Sequence, residues 1–348
     1  MAYTTIDDPT IYFNTKLYTG DGSTQSVTGV GFQPDWVWIK NRDSSSSGNI
    51  LHDVIRGAGT ALFSNSNSAD NTSTAAGILQ SFDSDGFTVT DGGRVNSNTN
   101  KYVSWNWKAG GSASSNEDGD ITSSVSANTT AGFSIVSYTG SGSNATVGHG
   151  LGVAPAWYIV KQRDAARSWN VYHKSLGATK YVLLENTAGS GTDSTVWNDT
   201  EPTSTTFSVG TTNSTNASSG TFIAYCFAEK KGYSKFGSYT GNGNADGPFI
   251  YTGFKPAYLL LKESSSSGED WVLQDNKRDT VINPVSATLY ASASNAENTG
   301  YRYCDFNANG FKIRNSQDDY NTNGSTYIFI AFAESPFVNS NGLPNNAR

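Results

Sequence analysis

The chain has little of what metalloenzymes, disulfide scaffolds and membrane proteins are built from. Among 348 residues there are two cysteines, one methionine and three histidines. Three scattered histidines supply no metal cluster, so no bound metal is expected. Cys226 and Cys304 fall at non-equivalent places. They read as free thiols packed as small hydrophobes, with one long-range disulfide as the alternative, and folding in a cytoplasm follows. The net charge is −7 and no basic stripe is present, so the clustered Lys and Arg that a nucleic-acid partner requires are missing. No apolar run reaches membrane-spanning length, and the opening MAYTTIDDPTIYF has neither the basic start nor the apolar core of a secretory signal. Heptads are absent, which excludes a coiled coil. There is no nucleophile elbow, no phosphate-cradling glycine loop and no reactive-cysteine context. No cofactor and no enzymatic activity are therefore expected. A carboxylate pair for glycoside cleavage is spatial rather than sequential, so a polysaccharide depolymerase stays open as a lesser alternative.

What is present is written three times. YTGDG (Tyr18 to Gly22) returns as YTGSG from Tyr138 and as YTGNG from Tyr239. A second signature follows each: GFQPDWVWIK ending at Lys40, GVAPAWYIVK ending at Lys161, and GFKPAYLLLK ending at Lys262. Each copy closes alike, with YVSWNWKA from Tyr102, FIAYCFAE from Phe222 and YIFIAFAE from Tyr327. The runs after Pro34, Pro155 and Pro256 are apolar on both faces, short and rich in β-formers, so they read as inner strands opened by proline. Asp-Gly and Asn-Gly before GFTV and GFKI signal hairpins. With polar turns between short strands and no helical period, the fold class is all-β, as three tandem β-sandwich repeats. The expected layout is a leader at 1–15, repeats at 16–109 and 133–231, a Gly/Ser-rich linker or strap at 110–132, and a third repeat with a short tail at 232–348.

One recurring segment combines aromatic and polar residues after the inner strand. ILHDVIRG, VYHKSLGA and VLQDNKRD align His52, His173 and Gln274, followed by Asp53, Lys174 and Asp275. Arg56 recurs as Arg278, and Trp169 and Trp271 sit just before the segment. An indole face beside planar hydrogen-bonding groups is what a sugar site needs. Trp169, His173, Lys174, Trp271, Gln274, Asp275 and Arg278 are thus the candidate ligand-binding residues. The alternative is a half-buried strand ending in an ion pair. DFNANG (Asp305 to Gly310) imitates half of a calcium loop, but Ser316 stands where the bidentate Glu belongs, so a hairpin turn is expected. His149, between glycines in VGHGLG, is expected to contact backbone.

These strings, with GFQPDWVWIKNR, YVSWNWKAGG, ATVGHGLGVAPAW, AYCFAEKKGYSKFGSYTGNG and AFAESPF, resemble a family of tail-fibre-like virion structural proteins of marine and cyanobacterial bacteriophages. The resemblance covers nearly the whole chain. It implies a lectin-like or jelly-roll β-sandwich on the virion exterior, made and folded in the bacterial host cytoplasm, with other virion proteins and host-surface glycan as partners. A homotrimer is expected, partly from threefold fibre symmetry and partly because sandwich edges need cover that the 110–132 strap could give between subunits. Receptor binding is the first functional expectation. Head decoration, or a purely structural fibre role, is the alternative.

Overall fold

The computed structural model describes residues 3–73, 77–279, 283–300 and 304–345. It is nearly all antiparallel β-structure, with four-residue helices in the turns. Each copy contributes one large and one small sheet. In the first copy the large sheet runs in the order Phe13–Thr19, Lys101–Trp107, Trp36–Asn41, Asn49–Asp53, Leu62–Phe63. The third copy repeats that order with Ser234–Thr240, Thr326–Pro336, Phe254–Glu263, Val272–Asp275 and Leu289–Tyr290. The second does so with Phe133–Thr139, Thr221–Phe227, Trp157–Gln162, Asn170–His173 and Lys180–Leu183. Its sheet reaches eight strands because Gly191–Thr192 adds at one end, and Ser123–Asn128 and Ser114–Asn116 add at the other. The segment 110–132, expected as a linker or strap, is therefore part of the second sheet, where it covers an edge of its own chain. In the third copy the inner strand runs through Pro256 and is not opened by it. A register shift there accommodates the missing N–H.

The small sheets are Gln25–Thr28, Gly86–Val89 and Leu79–Asp83 in the first copy, Ala145–Gly148 and Thr206–Val209 in the second, and Phe249–Tyr251, Gly310–Ile313 and Cys304–Asn307 in the third. Each lies on one face of its large sheet around a private core. The opposite faces of the three large sheets meet in one common core. This explains why the inner strands are apolar on both sides. Trp36 and Trp38, Trp157 and Ile159, Tyr258 and Leu260 point to the common core. Val37 and Ile39, Tyr158 and Val160, Leu259 and Leu261 point to the private ones. The closing-strand residues that oppose Trp36, Trp157 and Tyr258, namely Trp107, Phe227 and Phe332, meet one another with ring centroids 5.6 to 6.4 Å apart, all edge-on. They mark the axis about which the copies are arranged.

The YTGxG motif is also accounted for. The hydroxyls of Tyr18, Tyr138 and Tyr239 donate to the carbonyls of Val95, Thr215 and Tyr320. A buried asparagine in three of the four four-residue helices, one per copy (Asn96, Asn216, Asn321), accepts from the backbone N–H of Asp21, Ser141 and Asn242. A Cβ on Gly20, Gly140 or Gly241 would overlap the carbonyl oxygen of Ser97, Ala217 or Thr322. The fifth-position glycines, Gly22, Gly142 and Gly243, have φ of 74°, 76° and 66°, where L side chains are disfavoured.

Candidate functional site

The segment singled out in the sequence lies between the copies. Strand pairing sets its true alignment: Trp36 opposes Asp53, Trp157 opposes His173, and Tyr258 opposes Asp275. His173 therefore occupies the place of Asp53 and Asp275, one residue from the expected alignment. Tyr172 takes the place of His52 and Gln274. The local hydrogen bonds agree. Asp53 Oδ1 accepts from the amides of Ile55 and Arg56, Asp275 Oδ1 from those of Lys277 and Arg278, and His173 Nδ1 from that of Ser175.

At this position each copy reaches the next. Asp53 Oδ2 accepts from the Tyr225 hydroxyl of the second copy at 2.8 Å. His173 Nε2 lies 3.2 Å from the Phe329 carbonyl of the third. Asp275 Oδ2 accepts from Trp105 Nε1 of the first at 3.0 Å. Arg56 and Arg278 close on the same carboxylates at 2.6 Å, with neither partner exposed. A second ring runs through the residues that begin the third strands. Trp169 Nε1 donates to the Phe63 carbonyl, Trp271 Nε1 to the Leu183 carbonyl, and Asn49 Nδ2 to the Tyr290 carbonyl. Donors and acceptors are equivalent in register in all three copies. Ion pairs reinforce two of the boundaries: Arg163 pairs with Asp70 and Arg42 with Glu297 across copies.

The candidate residues are thus placed as follows. Trp169, His173, Trp271, Gln274 and Asp275 are fully enclosed and Arg278 nearly so, with no face open to a ligand. Lys174 is the exposed member, paired with Glu229. It lines an open cleft of about 400 Å³ with Val153, Pro155, Tyr172, Glu201 and Glu229, where Tyr172 and Lys174 already occupy the two carboxylates. The aromatic-plus-polar pattern is not an exposed sugar platform, because both indole N–H groups, His173 and Asp275 are spent on joining the copies, while Gln274 bonds Val285 within the third copy. Trp105, Tyr225 and Asn49 were missed as members of these rings. Their partners are about a hundred residues or more away, and no local signal marks them.

Lys40, Lys161 and Lys262 occupy one register position and are wholly buried. Their Nζ atoms donate to backbone carbonyls: Lys40 to Ser47 at 2.8 Å and to Ser294 of the third copy at 2.9 Å, Lys262 to Glu269 at 2.8 Å and to Thr187 of the second copy at 3.3 Å, and Lys161 to Gln162 at 2.6 Å. Burial lowers each amine to about 8. Burial likewise lowers His52 to about 3 and His173 to about 4. Asp305 of the DFNANG hairpin pairs with Arg314, and no group of three potential metal ligands occurs among the described residues. His149 contacts the Leu151 amide and the Thr203 carbonyl. Cys226 and Cys304 are free and buried in different private cores. No helix among the described residues is long and apolar enough to cross a membrane.

One family profile matches, described as a domain of unknown function, DUF7483, and it covers residues 8–336 as a single unit. No curated protein and no solved structure matches the chain.

Proposed function

The chain belongs to the DUF7483 family along nearly its whole length and its three copies share one core, and we propose that it serves as a non-enzymatic structural protein of a bacteriophage virion exterior. The observation that carries this choice over glycan reading is the enclosure of Trp169, His173, Trp271, Asp275 and Arg278 between copies, and of Gln274 within the third copy. The constellation that would have recognised a sugar acts as an internal fastening. Strand faces such as exposed Ser26 and Thr28 and half-buried Thr88 are small and polar, as expected of a decoration or fibre component. The large-sheet faces that could have formed a trimer are consumed within the chain, which favours a monomeric building block over the homotrimer. Placement on the virion rests on the sequence resemblance alone.

The test is direct. Antibody raised against the purified protein should label intact particles of the phage that encodes it, and light scattering should give the mass of one chain. Absence from purified particles sinks the virion assignment. Release of reducing ends from host polysaccharide by the purified protein would restore the depolymerase alternative.

A further inference from the structure

The three small sheets present the same edge to the outside, and the chain treats it in three ways. In each, the middle residue of the edge strand (Val27, Val147, Ile250) pairs with a phenylalanine of the next strand and points inward. The ladder then turns the N–H and C=O of the two flanking residues away from the sheet. Those residues are Ser26 and Thr28, Thr146 and Gly148, Phe249 and Tyr251. The bonds from Ile313 N to the Pro248 carbonyl and from Thr252 N to the Asn309 carbonyl fix this phase in the third copy.

In the second copy that edge is filled. The segment around Ile121 runs parallel to it, with a bridge between Ile121 and Val147. Ile121 N donates to the Thr146 carbonyl at 3.0 Å, Asp120 Oδ2 accepts from Thr146 N, and Ser123 Oγ donates to the Gly148 carbonyl. In the first copy the edge is open but polar, and its side chains satisfy one another: Ser26 bonds Thr88, which bonds Asp83. In the third copy the edge is open and aromatic. Phe249 is 47% and Tyr251 54% exposed, among the few large apolar side chains on the surface. The Phe249 ring lies over Gly310, and the Tyr251 hydroxyl meets that of Tyr3 at 3.1 Å. Among the described residues no segment of the chain pairs with this edge.

We propose that the Phe249–Tyr251 edge is a docking site for an extended peptide segment of another protein, added as a strand parallel to it. The second copy supplies the template: the same edge, in the same phase, is met by a parallel bridge at Ile121, with one main-chain bond and the side chains of Asp120 and Ser123 taking the flanking groups. The partner residue opposite Ile250 would point inward, as Ile121 does, and should be β-branched. Its two neighbours would lie beside the aromatic rings, where apolar or aromatic side chains give the favourable cross-strand pairs. Affinity would come from main-chain bonds and selectivity from the rings. The inference stands on strand geometry and does not depend on where the protein works.

The probe is a capped peptide of residues 117–125 (EDGDITSSV) carrying Thr122→Tyr, the position that would face Tyr251, and keeping Asp120, whose carboxylate would meet the Phe249 amide as it meets that of Thr146. Hydrogen exchange is read at the amides of Phe249 and Tyr251 in the full chain. At millimolar peptide both should slow at least tenfold, while the same peptide with Ile121→Pro should give no protection. The Phe249→Ser, Tyr251→Thr double variant, which installs the residues that the first copy carries there, should fold and lose the effect. The proposal is overturned by unchanged exchange in the wild type, by equal protection in the double variant, or by protection from a soluble oligosaccharide such as maltotriose and not from the peptide.

Discussion

His52 shows how a single enclosed side chain sets a pH limit. Its Nε2 accepts from the Leu79 amide at 3.3 Å, and burial holds its pKa near 3. The unfolded chain takes up that proton near 6.5, so the stability contributed by the neutral ring is complete above 6.5 and is lost as pH falls towards the folded value. His173 behaves alike down to about 4. Each displaced proton gives a slope of about 1.4 kcal/mol per pH unit. His52→Gln, which places there the residue the third copy uses, should leave stability near pH 7 little changed and flatten the decline between pH 6.5 and 4. Urea midpoints across that range decide it, and a variant as acid-sensitive as wild type refutes it. The buried lysines act at the other end. With folded values near 8 against about 10.5 unfolded, the folded state holds fewer protons between these values, so stability rises with pH from 8 upward. The Lys40→Met, Lys161→Met, Lys262→Met variant should lose that rise between pH 8 and 9.5, below the range where tyrosines ionise. An identical pH profile for variant and wild type would show that the carbonyl nests hold the amines charged throughout.

Among the elements, the YTGxG turn is the most legible. Its tyrosine, two glycines and distant asparagine recur with the same bonds in all three copies, so the motif in the sequence and the turn in the structure coincide. Gly140→Ala should destabilise by about 2 kcal/mol or more, because the added methyl meets the Ala217 carbonyl and neither backbone can retreat. An unchanged thermal midpoint would contradict the rigid turn. The segment following the inner strand was legible only in part. Its aromatic and polar residues were visible, but the second copy aligned one residue off, because VYHKSLGA matches ILHDVIRG by its histidine while the strands pair by their tryptophans. The 110–132 segment was legible only as a linker or strap, for a related reason. Its Ser/Gly composition describes a linker, yet an edge strand needs only backbone groups and a partner, and composition does not report a partner.

At the scale of the molecule, three copies sharing one core should melt as one body. Excising a single copy would expose Trp36, Trp157 or Tyr258 and break the rings through Asp53, His173 and Asp275. Calorimetry should show one transition whose calorimetric and van't Hoff enthalpies agree. Three resolved transitions, or a cooperative fold for isolated residues 133–235, would show that the common core contributes little.

The sequence by itself determined the all-β class, the three signatures, the doubly apolar inner strands and the turns, because each depends on side-chain type at short spacing. It also marked Trp169, Trp271 and the Asp–Arg pairs as unusual. Only the tertiary structure decided what they are for. Whether an indole faces a sugar or the carbonyl of another copy depends on how three sheets are placed about an axis. That placement is set by pairing between residues about a hundred positions or more apart, which no local pattern encodes. The same holds for Phe249 and Tyr251. In sequence they are two residues of an ordinary strand, and their exposure follows from the second copy's strap having no counterpart in the third.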